Sequence, residues 1–153
     1  MANLKFNVST EGEVATAAPG TAKTVLQAAA PSNQRVDCRK VSCGFDGTNP
    51  SAEACVVELL RQTTGGTMTS GTPVKQSAGA ETIQTTCSKN ATAEPTAGDV
   101  LKRWEHHPAA GTFVEAFDRG ELEMPGGTRL GLRVTVPSSG VALNCIAAFD
   151  LEE

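Results

Sequence analysis

The chain has no tyrosine and a single tryptophan, and aromatic residues make up 4% of its 153 positions. Tyrosine is a favoured amphipathic contact residue at recognition surfaces. A stacking platform for sugars or nucleobases therefore has little to be built from. No apolar run approaches the ~18 residues that span a bilayer. The first ten residues lack a basic stretch followed by an apolar one, so the expectation is synthesis in a cytoplasm without export through a signal peptide. A basic surplus is missing too. Net charge is −4, whereas a nucleic-acid binder presents a positive face to phosphates. The densest basic cluster, Arg35, Arg39 and Lys40, reads as solvated charge on a strand face. Neither nucleic acid nor a membrane is expected as a partner.

Signatures of chemistry are also absent. The sequence has no G-x-S-x-G, no H-E-x-x-H, no C-x-x-C and no Cys/His spacing of a zinc site. Gly65-Gly66 and Gly126-Gly127 do not lead into a helix with Lys-Ser/Thr, so they are not phosphate loops. His106 and His107 are adjacent, and adjacent strand residues point to opposite faces, so the two cannot readily share one metal. Glu121 and Glu123 would lie roughly 6–7 Å apart on one strand face. That distance suits a glycosidase-like pair, but no cleft is signalled beside them. The expectation is a protein that is not an enzyme, with no catalytic residues, no metal and no cofactor.

What is present is period-two alternation. Residues 129–136 (Arg-Leu-Gly-Leu-Arg-Val-Thr-Val) carry large apolar side chains at every second position. The turn Pro137-Ser138-Ser139-Gly140 follows, and then a second apolar run over 141–149. The pattern predicts two paired strands with one buried face. Further strands are predicted over 4–8, 22–30, 34–46, 82–87, 100–106, 112–117 and 120–124. The inward set of the 34–46 segment starts Val36, Cys38 and resumes one residue late at Val41, Cys43, Phe45, as a β-bulge near Arg39-Lys40, or a switch of the strand from one sheet to the other there, would require. Residues 54–61 suit a helix capped by Ser51 or a buried strand, and the adjacent valines favour the strand. Residues 47–51 are a turn by chemistry, while 62–81 and 90–99 read as loops. These elements predict an all-β, single-domain β-sandwich, jelly-roll-like. Residues 1–20 supply an N-terminal strand and extended arm, and residues 21–153 the sandwich with its long loops. Residues 2–20 and 62–81 are the expected contact segments.

Five cysteines stand at Cys38, Cys43, Cys55, Cys87 and Cys145. One reading makes them small buried hydrophobes. The other makes them partners in disulfides formed after the chain leaves the reducing cytoplasm. Full oxidation of an odd number requires at least one bridge between chains, so an inter-subunit disulfide is an expectation.

Three segments together resemble the capsid decoration, or cement, proteins of tailed bacteriophages. They are residues 39–47 (Arg-Lys-Val-Ser-Cys-Gly-Phe-Asp-Gly) with the run 54–61, residues 105–111 (Glu-His-His-Pro-Ala-Ala-Gly), and residues 125–137 (Pro-Gly-Gly-Thr-Arg-Leu-Gly-Leu-Arg-Val-Thr-Val-Pro). The likeness covers most of residues 23–153. It implies a β-sandwich, commonly a homotrimer, on the exterior of the virion capsid, with the major capsid protein as partner and no catalytic residues. The five cysteines depart from that pattern. A different function for such a scaffold is carbohydrate or receptor binding in a tail or surface apparatus, which would need an exposed aromatic platform at Trp104 with Phe113 or Phe117.

Overall fold

A strand with one dry face sorts its residues alternately between core and surface. In the computed structural model, which describes residues 4–46 and 53–153, this sorting yields thirteen strands and one 3-10 turn. In chain order they are β1 (Lys5–Ser9), β2 (Val14–Ala15), β3 (Ala22–Ala29), β4 (Val36–Phe45), β5 (Cys55–Gln62), β6 (Thr67–Gly71) and β7 (Val74–Lys75). There follow β8 (Thr86–Ala93), β9 (Ala97–His106), the 3-10 turn Pro108–Ala110, β10 (Thr112–Ala116), β11 (Glu123–Met124), β12 (Arg129–Thr135) and β13 (Asn144–Glu152).

The strands form two antiparallel sheets in a sandwich-like, all-β architecture. Sheet A has the order β10-β4-β13-β1-β7, with β11 also on β4 and β2 also on β13. Sheet B has the order β6-β8-β3-β12-β5-β9. One core lies between them. Phe6, Val8, Val41, Phe149 and Leu151 enter it from sheet A, and Leu26, Val57, Leu59, Leu130, Leu132 and Val134 from sheet B.

The bulge anticipated in β4 is present. Cys38 pairs with Leu151 and Lys40 with Asp150, so Arg39 is the extra residue. The shift keeps Val36 and Cys38 inside along with Val41 and Cys43. Residues 55–62 form a strand, not a helix. Ser51 and the 47–51 turn lie outside the described residues.

Several expectations are corrected. Of the strands expected over 82–87 and 120–124, only Thr86 and Cys87 enter β8 and only Glu123 and Met124 form β11. The alternating runs at the C-terminal end are not paired with each other. β12 lies in sheet B between β3 and β5, whereas β13 lies in sheet A between β4 and β1. The 137–140 turn therefore crosses between the sheets. Val136 and Leu143 bracket it and pack with Cys55 and Phe45 in a small satellite core. The 90–99 loop is likewise much shorter than expected, because β8 continues to Ala93 and β9 begins at Ala97.

The β8–β9 connection has to pass β3, β12 and β5 to reach the far edge of sheet B. Glu94 anchors it, accepting from the Thr24 N–H at 2.7 Å and the Thr24 hydroxyl at 2.8 Å. Thr24 also accepts from Gln62 Nε2 at 2.8 Å, and Gln62 Oε1 accepts from Gln27 at 2.6 Å. A side chain at Gly131 would run into the Gln62 carboxamide. The glycine in the Arg-Leu-Gly-Leu-Arg run thus makes room for this buried polar network.

Neighbours on β13 should respond oppositely to truncation. Phe149→Ala empties the core and should cost about 3–5 kcal/mol, read as a lower urea midpoint at constant m. Ile146→Ala, on the outer face, should change stability by no more than about 0.5 kcal/mol.

Candidate functional site

The ionisable residues of interest are engaged in internal structure. Glu58 on β5 is 5% exposed and sits in register between Arg133 of β12 and Arg103 of β9. Arg133 donates to Oε2 from Nε at 2.9 Å and from Nη2 at 2.6 Å. Arg103 donates to Oε1 from Nε at 2.9 Å and also from Nη2. Burial works to raise the Glu58 carboxyl. The hydrogen bonds and charges of the two arginines outweigh it and hold the group below its ordinary value. The arrangement binds three strands of sheet B; it does not present a free acid.

The edges of the two sheets meet at β9 and β10. Trp104 and Phe113 lie 5.2 Å apart between ring centroids, and His106 stands 5.1 Å from Phe113 and 6.0 Å from Phe45. The Trp104 indole N–H donates to Glu115. Lys102 lies 5.5 Å above the Phe117 ring, 3.7 Å from Glu115 and 3.5 Å from Glu121. These residues form a seam closing one side of the sandwich. Trp104 and Phe113 are turned toward each other and the core, and Phe117 is buried.

The histidines diverge. His106 Nε2 lies 2.7 Å from the Gly111 carbonyl, while His107 Nδ1 accepts from the Ala109 N–H at 3.2 Å. Glu121 and Glu123 do not share a strand face, since β11 holds only Glu123 and Met124. Glu121 accepts from the Asp118 N–H and faces Lys102, whereas Glu123 pairs with Arg35 at 2.8 Å. Among the described residues, no group of three or more His, Cys, Asp or Glu is placed to hold a metal ion. The basic cluster is paired as well: Arg35 with Glu123, Arg39 with Glu152 at 3.6 Å, and Lys40 with Asp150.

The disulfide expectation is overturned. Cys38, Cys43, Cys55, Cys87 and Cys145 are all free and buried, and no two stand near bonding distance. Cys43 is opposite Ala147 and Cys145 opposite Phe45, so these two cysteines are diagonal neighbours on the core side. Diagonal Cα atoms are about 7–8 Å apart, beyond the ~4.4–6.8 Å of a bridge. The two thiols share a hydrogen bond instead, which with burial raises Cys43. Burial pushes Cys38 and Cys87 up to about 12 and Cys55 to about 11. No thiol reaches a second chain without the sheets parting. The cysteines are small core hydrophobes.

The feature that strand alternation missed is the outer face of sheet A. Val114 on β10 is 61% exposed, Ile146 on β13 50% and Val74 on β7 62%. Ala116 and Ala148 lie on the same face. The unbroken apolar run Cys145-Ile146-Ala147-Ala148-Phe149 was the available signal, because a strand with one wet face has no need of apolar residues on both sides. A cavity of about 170 Å³ opens at one end of this face, among Glu13, Ser42, Asp46, Thr112, Asn144 and Ile146. A second, of about 270 Å³, lies toward the other end, among Lys5, Arg39, Lys40, Gln76, Ala116 and Asp150.

Two measurements follow from the core chemistry. The native protein should resist a disulfide reagent at pH 8, expose all five thiols on unfolding, and run as a monomer on a non-reducing gel. Because the Glu58 carboxyl is lowered in the folded state, its stabilisation is present above the ordinary value of 4.5 and lost as pH falls through the folded value. Glu58→Gln should cost about 1–3 kcal/mol at pH 7 and flatten the acid limb of a stability-versus-pH curve. No protein-family model, curated protein or solved structure matches the chain.

Proposed function

We propose that the chain is a non-enzymatic structural protein of a phage virion. In this reading a jelly-roll-like sandwich decorates the outside of the capsid and cements neighbouring capsomers by binding the major capsid protein. The resemblance in residues 39–47, 105–111 and 125–137 motivates the assignment. One observation carries it furthest: the two expected contact segments, distant in sequence, come together in one exposed margin. The Glu11 carboxylate accepts from the Thr72 N–H at 2.7 Å and also pairs with Lys89. The Lys5 carbonyl accepts from the Gln76 N–H at 2.8 Å. Beside them lies β6, an outermost strand of sheet B, whose Thr67, Thr69 and Ser70 are exposed.

An open strand edge next to an exposed polar loop suits β-strand addition, in which backbone hydrogen bonds supply affinity. A rigid two-sheet scaffold presents such a margin at low ordering cost. The margin is polar and its backbone does the binding, so the scarcity of aromatic residues is no handicap. The alternative of carbohydrate or receptor binding is less well supported, because Trp104 and Phe113 face each other in the seam and Phe117 is 4% exposed.

The purified protein should co-sediment with capsids, and heads lacking it should burst at a lower temperature. Replacing residues 76–82 with a short Gly-Ser linker should abolish co-sedimentation and leave the melting temperature of the free protein unchanged. Heads of unchanged thermal stability after complete removal of the protein would overturn the proposal.

A further inference from the structure

One outward-facing row of sheet A sets carboxylates side by side where cross-strand pairing favours opposite charges. Glu123 of β11 stands opposite Asp37 of β4, and Asp37 stands opposite Glu152 of β13. Like charges directly opposite on one face are destabilising. Sheet B shows the balanced arrangement, with Glu58 held between Arg103 and Arg133. In sheet A the two outer carboxylates of the row are met from the side. Arg35 lies 2.8 Å from Glu123, and Arg39 and Arg119 lie 3.6 and 3.7 Å from Glu152. Lys5, next in the row beyond Glu152, is exposed and lines the neighbouring cavity. Asp37, in the middle, has no ion-pair partner among the described residues.

Asp37 is also enclosed. It is 5% exposed, and its Oδ1 has no hydrogen-bond partner. Arg39 does not supply one. Its guanidinium leans on Glu152, and its own Nη1 is enclosed and equally without a partner. A buried carboxylate oxygen without a donor is costly, and native proteins answer such groups with water, an ion or a ligand. Beside Asp37 lies a cavity of about 140 Å³, bounded by Arg35, Asp37, Arg119, Glu152 and Glu153. Glu153 already accepts from the Gln84 and Thr85 N–H groups. The group in this wall that still lacks a donor is Asp37. A turn about χ2 exchanges its two oxygens, because that torsion is broad and two-fold, so either oxygen can face the cavity.

We propose that this cavity receives a guanidinium group, presented by an arginine side chain of a partner protein, with Asp37 as its acceptor. Chemistry selects guanidinium among the cations. A calcium ion takes six or more oxygen ligands, and among the described residues no group of three or more His, Cys, Asp or Glu is placed to hold a metal. An ammonium is strongly hydrated, whereas a guanidinium sheds water more readily and donates from a planar fork that matches a carboxylate. This protein already uses that fork twice on Glu58. Arg35 and Arg119 stay on Glu123 and Glu152, so the entering charge meets the carboxylate that they leave uncompensated. The cavity takes the head of a side chain and leaves the rest outside, as a protein surface would deliver it. The inference does not depend on the capsid reading, whose margin lies along β6 and the 76–85 loop on the other sheet edge.

Amide NMR of the full chain, titrated with the capped arginine Nα-acetyl-arginine N-methylamide, tests it. The expected result is saturable, with shifts concentrated at Asp37, Arg119, Glu152 and Glu153 and an affinity on the order of millimolar. Capped citrulline, the uncharged isostere, should leave those signals in place. Asp37→Asn should weaken capped arginine about tenfold, the loss of one charged hydrogen bond. It should not lower the melting temperature, because it removes a buried charge that has no partner. Free arginine should bind no better than the capped form. The proposal fails if the shifts are absent or scattered over the surface, if citrulline matches arginine, or if Asp37→Asn binds as the native chain does. A lower melting temperature for Asp37→Asn would also overturn it, since that marks a carboxylate already paired within the fold. Calcium shifting the same signals at lower concentration would make the site a metal site, and tighter binding of free arginine would make the ligand a small molecule; either result overturns it.

Discussion

Every strand in this protein depends on phase. Side chains alternate strictly, so a slip of one residue would turn an entire core row to water and bring a charged row inside. The extra residue at Arg39 shows what is at stake. Without it, Val36 and Cys38 could not share the core with Val41 and Cys43. With it, Lys40 meets Asp150 and Arg39 meets Glu152 on the outside. The register shift between Leu132 and Arg133 against β3 does the same for sheet B. Leu26 and Leu132 stay paired in the core, and Thr24 is left on the outer side to hold Glu94. The bulges are thus what lets long strands serve one core and two polar networks at once.

That dependence explains what could be read from the sequence. The alternation of β12 and the rephasing of β4 are local properties, visible as spacing. So is the choice of strand over helix for β5, whose adjacent valines are stiff and pack well on a pleated surface. Strand partnership is not local. Alternation says that Leu130 and Phe149 are both inside, but it is silent on whether they approach from the same sheet or from opposite ones. They approach from opposite sheets. The cysteines repeat the lesson. Their placement at core positions was legible, but whether two thiols stand directly or diagonally opposite depends on register across strands far apart in sequence. β8 was hidden for another reason: Lys89, Asn90 and Thr92 give it no apolar alternation, and it is held as a strand by pairing with β3 and β6.

The candidate chemical groups look functional one at a time and structural in place. Glu58, His106, Trp104 and Lys102 each carry chemistry that an enzyme could use. Each is committed to a neighbour that closes the sandwich or locks adjacent strands. Glu153 shows the same economy, accepting from the Gln84 and Thr85 N–H groups at 2.7 and 3.0 Å and so fastening the loop before β8 to the end of β13. Polar side chains committed to the fold leave the exposed apolar residues as the part of the surface with no internal role.

A protein that bridges others needs two surfaces whose use is not mutually exclusive. The sandwich has open edges on two sides. On one side, β9 is long but guarded: Lys102, Arg103 and Glu105 stand along it, and its pairing with β5 shifts register twice. Charge and irregularity of this sort discourage edge-to-edge addition. On the other side, β6 is a short uncharged strand, Thr67-Met68-Thr69-Ser70-Gly71, three of whose five residues carry hydroxyls, an edge that a partner strand can approach. The outer face of sheet A lies on the opposite sheet from β6. Occupying the edge at β6 leaves Val114, Ala148 and Ile146 uncovered, and covering that face leaves β6 open. The proposed capsid contact at β6 therefore leaves the outer face of sheet A available on the same molecule, which is the geometric condition for linking separate parts of a shell.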